Sequence, residues 1–175
     1  MTALNMGPLN TGLLILRLGV GAAVLQAGLI KVFDYPTTVG YLEAGGWRAP
    51  ELAAFMVTAA ETLGGIGLLL GAFTPLAACA VTAAMLDAWA VNVSGAAFYS
   101  DPFNVPFLLA VGAAALLFSG PGGYSVDARW VPRVGRLAGS VRALTALLAV
   151  AVVAAVVTWI ALNGTNPIHV TSPTG

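Results

Sequence analysis

The stretch Gly12-Leu-Leu-Ile-Leu-Arg-Leu-Gly-Val-Gly21 sets an arginine inside a run from Gly12 to Ile30 in which Gln26 is the only other strongly polar side chain. Whether that run is a buried core helix or a membrane span decides the fold, and composition settles it. The chain is 59% apolar and 8% charged with formal net charge zero, and its mean hydropathy is +0.92. Soluble domains carry about a quarter charged residues. The run also exceeds the roughly 7–15-residue core of a cleavable signal and has no Lys or Arg before it, so it reads as an uncleaved first membrane helix.

A span needs about 20 apolar residues, and five segments qualify: 11–33, 51–73, 75–97, 102–118 and 143–162. Pro50, Pro75 and Pro102 stand where a missing N–H costs nothing, with Thr74 and Asp101 as candidate N-caps, and Gly120-Pro-Gly-Gly123 ends the fourth span. The expected fold is an all-α integral membrane protein, with residues 1–142 forming a four-helix domain and residues 143–175 a fifth span and short tail. The fifth span has no internal charge and reads as a peripheral, lipid-facing anchor.

Four of the seven basic residues, Arg129, Arg133, Arg136 and Arg142, fall between spans four and five. Short loops rich in Lys and Arg stay in the cytoplasm, which predicts an inner N-terminus, an outer C-terminus and a multi-pass protein of a bacterial or archaeal cytoplasmic membrane. The outer segment 34–50 mixes aromatic and charged residues, as either an interfacial cap or a solvated loop would.

A charge in hydrocarbon needs a partner. At about 1.5 Å per residue, Arg17 lies roughly 9 Å inside span one, while Glu61 and Asp87 each lie about 18 Å deep in spans two and three. The guanidinium fork suits carboxylates, so Arg17 is expected to meet Glu61, Asp87 or both. Glu61 shares a face with Thr58, Gly64, Gly65 and Leu68, and Asp87 one with Ala80, Ala83, Ala84, Val91 and Ser94; small residues there let helices approach closely. Gln26 and Asn92 add polar groups at membrane depth, Lys31 closes the outer end of span one, and Trp89 stands beside Asp87, where it could line a pocket. The set reads either as a structural lock on helix register or as a ligand pocket.

One cysteine, Cys79, and one histidine, His169 in the tail, leave no basis for a disulfide, a bis-histidine haem or a zinc site. No haem, metal or flavin is expected within the chain, and nothing points to nucleic acid. Cys79 reads as a packing residue.

Leu16-Arg17-Leu18, Gly28-Leu-Ile-Lys31, Glu61-Thr-Leu-Gly64-Gly65 with Gly71 after it, and Gly120-Pro-Gly-Gly-Tyr-Ser-Val-Asp127 together resemble the DoxX-like membrane proteins over about residues 11–130. Members look like four-helix membrane bundles. They include DoxD, the small membrane subunit associated with thiosulfate:quinone oxidoreductase, and proteins associated with complexes handling oxidative and thiol stress. The resemblance places the family's polar positions on Arg17, Lys31, Glu61 and Asp127, with Tyr124 and Ser125 in the turn after helix four; Asp87 is not assigned to the pattern, and the fifth span is an addition to a four-helix member. It implies a membrane subunit of a quinone-linked oxidoreductase complex. In that reading Glu61 and Asp87 exchange protons, Arg17, Gln26, Lys31, Trp89 and Asn92 surround the quinone headgroup, and a partner subunit in the bilayer, or a homo-oligomer, completes the assembly. A scaffold that anchors a peripheral enzyme is the alternative, and a small transporter a further one.

Overall fold

The computed structural model describes residues 6–95, 100–130 and 140–167, and the described residues contain helices and connecting turns without strands. In chain order they form α1 (Met6–Phe33), α2 (Tyr35–Ala44), α3 (Pro50–Leu70), α4 (Thr74–Ser94), α5 (Val105–Ser119), α6 (Val126–Trp130) and α7 (Val141–Thr158), which runs on into a π-helical turn, Trp159–Asn163. The segments α1, α3, α4 and Val141–Asn163 are each long and apolar enough to cross a membrane, whereas α5 is a shorter apolar helix of 15 residues. The chain is an all-α, multi-pass membrane protein. Arg133, Arg136 and His169 lie outside the described residues.

Proline and glycine punctuate these helices largely as their chemistry dictates. Pro50 opens α3, and Gly71 closes it in the left-handed conformation at φ +63°, a position that favours a residue without a Cβ. A Cβ on Gly71 would also run into the Arg17 guanidinium. Two expected caps are corrected. Thr74 is the first residue of α4, and its cap is Phe73, which offers no capping side chain. The cap of α5 is Asn104, whose Oδ1 accepts from the Phe107 amide at 3.3 Å, and not Asp101.

The missing cap of α4 comes from elsewhere in the chain. Asp127, on α6, accepts the Phe73 amide on Oδ1 and the Thr74 amide on Oδ2, both at 2.8 Å, and its own amide donates to the Gly71 carbonyl at 2.9 Å. A carboxylate at a helix N-terminus satisfies orphan amides and complements the helix dipole. Asp127→Ala should therefore lower the unfolding free energy by about 1–2 kcal/mol, and Asp127→Asn by less, measured by denaturant titration in lipid nanodiscs. Equal losses for both would show that packing, and not the acceptor oxygens, carries the effect.

In the bundle α1 packs chiefly on α3, α3 on α4, and α4 on both α5 and α7. Val24, Leu68, Val81, Leu116, Leu117 and Leu144 sit in its core, while Ile15, Leu63, Leu76 and Val153 stay on the outside. Lipid tails are as apolar as leucine, so the hydrophobic effect does little to hold such helices together and close van der Waals contact must do so. The α1–α3 seam shows how: a Cβ on Gly65 would lie 2.7 Å from the Leu25 amide nitrogen, and one on Gly28 would lie 2.7 Å from that of Thr62.

Segment 34–50 becomes a short helix and a turn. Asp34 caps α2, with Oδ1 accepting the Thr37 amide. Trp47, after Gly45 and Gly46, is buried edge-on against Trp159, with ring centroids 5.7 Å apart. The Arg48 amide donates to the Leu162 carbonyl at 2.7 Å. The π-helical turn and the α2 segment thus close the same end of the bundle.

Candidate functional site

Two polar clusters form where the sequence reading expected one. The first surrounds Arg17, which is 2% exposed. Its Nη1 donates to the Pro121 carbonyl at 2.5 Å and its Nη2 to the Tyr124 carbonyl at 2.6 Å, and Asp127 is near enough to attract the guanidinium. Arg17 meets neither Glu61 nor Asp87. It lies in the half of α1 that faces the α3–α4 turn and the segment following α5, so its side chain reaches toward that end of the bundle and not toward the middle. A guanidinium offers five donors, which match main-chain carbonyls as readily as carboxylates. It pins the Gly-Pro-Gly-Gly-Tyr turn over the bundle end, next to the residue that caps α4.

The second cluster lies around Lys31 and Glu61. Lys31 stands near the end of α1, and its side chain turns inward. Nζ donates to Glu61 Oε2 at 2.6 Å and to the Ala27 carbonyl at 3.3 Å. The Glu61 side chain is 3% exposed and that of Lys31 26%. With 11 residues separating it from Pro50, Glu61 lies about 16 Å from the start of α3, near the middle of a hydrocarbon core about 30 Å thick.

Beside this pair is a cavity of about 350 Å³, with Lys31, Glu61, Asp87 and Asn92 among its lining residues. Asp87 is seven residues from the end of α4 and makes no hydrogen bond or ion pair with any described residue. Asn92 is exposed. Most of the remaining wall is small or apolar; Ala80, Ala83, Ala84 and Val91 carry the face of α4 on which Asp87 stands. Lys31 and Glu61 cancel each other's charge, so an unpaired carboxyl group is left facing an apolar-walled space.

Three expected site residues lie elsewhere. Trp89 does not line this space; its Nε1 donates to the Pro102 carbonyl at 2.8 Å and its ring lies 6.1 Å from that of Phe107. Gln26 is exposed on the outer side of α1, above a groove formed with Leu25, Leu29 and Leu69. Arg17 is at the bundle end described above. The reading of the fifth span as an anchor outside the site is also corrected: Ala154 and Thr158 of α7 line the cavity, and Leu144, Ala151 and Ala155 are buried. Thr158 is the only hydroxyl between Ala146 and Ile160, a signal that could have marked an inward face. Thr38, Tyr41 and Trp47 of the α2 segment close the space from one end, and their part in it was not foreseen. Cys79 packs as expected, with Sγ donating to the Leu147 carbonyl of α7 at 3.3 Å.

Lys31, Glu61 and Asp87 all fall within residues 12–95, and that segment matches the DoxX family model. Residues 12–95 form a DoxX-like membrane segment. The match ends before α5, so the Gly120–Asp127 element that holds Arg17 lies outside it. No curated protein and no solved structure matches this chain.

Proposed function

We propose that this chain is the membrane subunit of a quinone-linked oxidoreductase complex and that the cavity seats the quinone headgroup. One observation carries the reading: at membrane depth, a space of about 350 Å³ is lined by a lysine, a lone carboxyl group and apolar walls. Small-molecule sites have volumes of about 300–1,000 Å³, mostly apolar walls and a few convergent polar groups. Lys31 Nζ or the Asn92 amide would donate to a headgroup carbonyl. Asp87, with no partner in the chain, can give or take a proton at the headgroup oxygen; Glu61, held by Lys31, orients that lysine and is a second candidate for proton exchange. A bound quinone would accept electrons from a reductant on a partner subunit. The small side chains of α4, with α2 and Trp47 at one end, would give the headgroup mostly apolar walls. With Arg129, Arg133, Arg136 and Arg142 in the cytoplasm, the cavity belongs to the outer half of a cytoplasmic membrane.

The test is binding of a short-tailed quinone to the purified chain in nanodiscs, followed by quenching of Trp47 fluorescence, with Trp47→Phe to isolate the signal. Saturable quenching is expected, and Asp87→Ala should weaken it about tenfold, the scale of one hydrogen bond to a charged group. Absence of saturable quenching in the unmodified chain would end the quinone reading.

A further inference from the structure

Gln26 occupies a position that the fold leaves chemically incomplete. Seven residues separate it from Phe33, so it lies about 10 Å inside the end of α1, too deep for its short side chain to reach the membrane surface. It is exposed on the face opposite the bundle and makes no hydrogen bond with any described residue. Its surroundings are apolar: Leu25, Leu29, Phe33 and Leu69 form the groove beside it, and Phe33 is 85% exposed. Hydrocarbon offers an amide neither donor nor acceptor, which makes an unpartnered glutamine costly there.

We infer that Gln26 pairs with Gln26 of a second copy of this chain across a two-fold axis normal to the membrane. Every copy inserts in the same orientation, so a two-fold interface on this face sets the residue opposite itself at equal depth. An amide carries both an acceptor oxygen and two N–H donors, and its partial charges are complementary to those of an identical amide facing it. An unrelated partner would need a polar group at that depth; a second copy necessarily has one. The neighbouring positions allow the approach. Gly19 and Ala22, seven and four residues before Gln26, share its face and are exposed, and a Cβ on Gly19 would meet nothing within 4 Å. The pairing concerns the outer face of α1 and is independent of what the cavity binds.

The experiment uses the full chain in liposomes, with Cys79→Ser as background. Ala22→Cys should give disulfide-linked dimers on oxidation, because symmetry-related Cα atoms near the axis come within the roughly 7 Å a disulfide spans. Leu63→Cys, on the lipid-facing side of α3, should not. Gln26→Leu should weaken dimerisation about tenfold in single-molecule photobleaching across a range of protein-to-lipid ratios, and Gln26→Asn should retain most of it. Since Gln26 touches nothing essential within the chain, the leucine variant should keep its fold. Monomers at all ratios, unchanged dimerisation of Gln26→Leu, or cross-linking through Leu63→Cys in preference to Ala22→Cys would each overturn the inference.

Discussion

Lys31→Met is expected to destabilise the chain by about 3–5 kcal/mol, because it leaves the Glu61 carboxylate without its counter-charge in low dielectric. Glu61→Leu should cost a similar amount by stranding the ammonium, whose 2.6 Å contact with Oε2 is its shortest. The double variant should recover most of the loss, since desolvating two charges consumes much of what their attraction returns. Unfolding titrations of the four proteins in nanodiscs give the coupling energy directly. A double variant as unstable as the sum of the single ones would show that the two side chains act independently. The same set separates stability from binding: a recovered double variant that no longer quenches Trp47 fluorescence with quinone would place the pair in the site as well as in the fold.

Gly65→Val should be at least as damaging, by about 3 kcal/mol or more, at the upper end of the range for overpacked interiors. A Cβ at this position would sit 2.7–2.8 Å from the backbone nitrogen, Cα and Cβ of Leu25. Main chain cannot rotate out of the way, so α1 and α3 would have to separate along the seam that joins them most extensively. Gly12→Ala is the contrasting substitution. A Cβ there meets nothing within 4 Å, and alanine is favoured over glycine in a helix by up to about 1 kcal/mol. Thermal unfolding should show a large loss for the first and no loss for the second. A mild effect of Gly65→Val would mean that the two helices are not held at backbone contact.

Some of the site was visible before the fold was known. The face of α3 carrying Thr58, Glu61, Gly64, Gly65 and Leu68 is buried, and the face of α4 carrying Ala80, Ala83, Ala84 and Asp87 lines the cavity. Both follow from helical periodicity, which places residues three, four and seven apart on one side. Lys31 and Glu61 stand in two of the motifs that resemble the DoxX-like proteins, and the structure makes them partners. Depth did not predict the partner of Arg17, because a long side chain can run toward either end of its helix, and the carbonyls it found belong to a turn more than 100 residues away.

Sequence alone determined the number and approximate limits of the apolar helices, the places of Pro50, Gly71 and Pro75 at their ends, though not that of Pro102, which lies before α5, and the presence of deep ionisable groups. Each depends on local chemistry: transfer of side chains to hydrocarbon, backbone conformation at a turn, and the cost of an unpaired charge. Only the tertiary structure decided that Arg17 binds a turn, that Lys31 answers Glu61, that Gln26 looks outward, and that α7 forms part of the cavity wall. These depend on how each helix is rotated about its axis and which helices become its neighbours. In a chain where nearly every helix is apolar all round, close packing of small residues sets that rotation, and hydropathy carries almost no information about it.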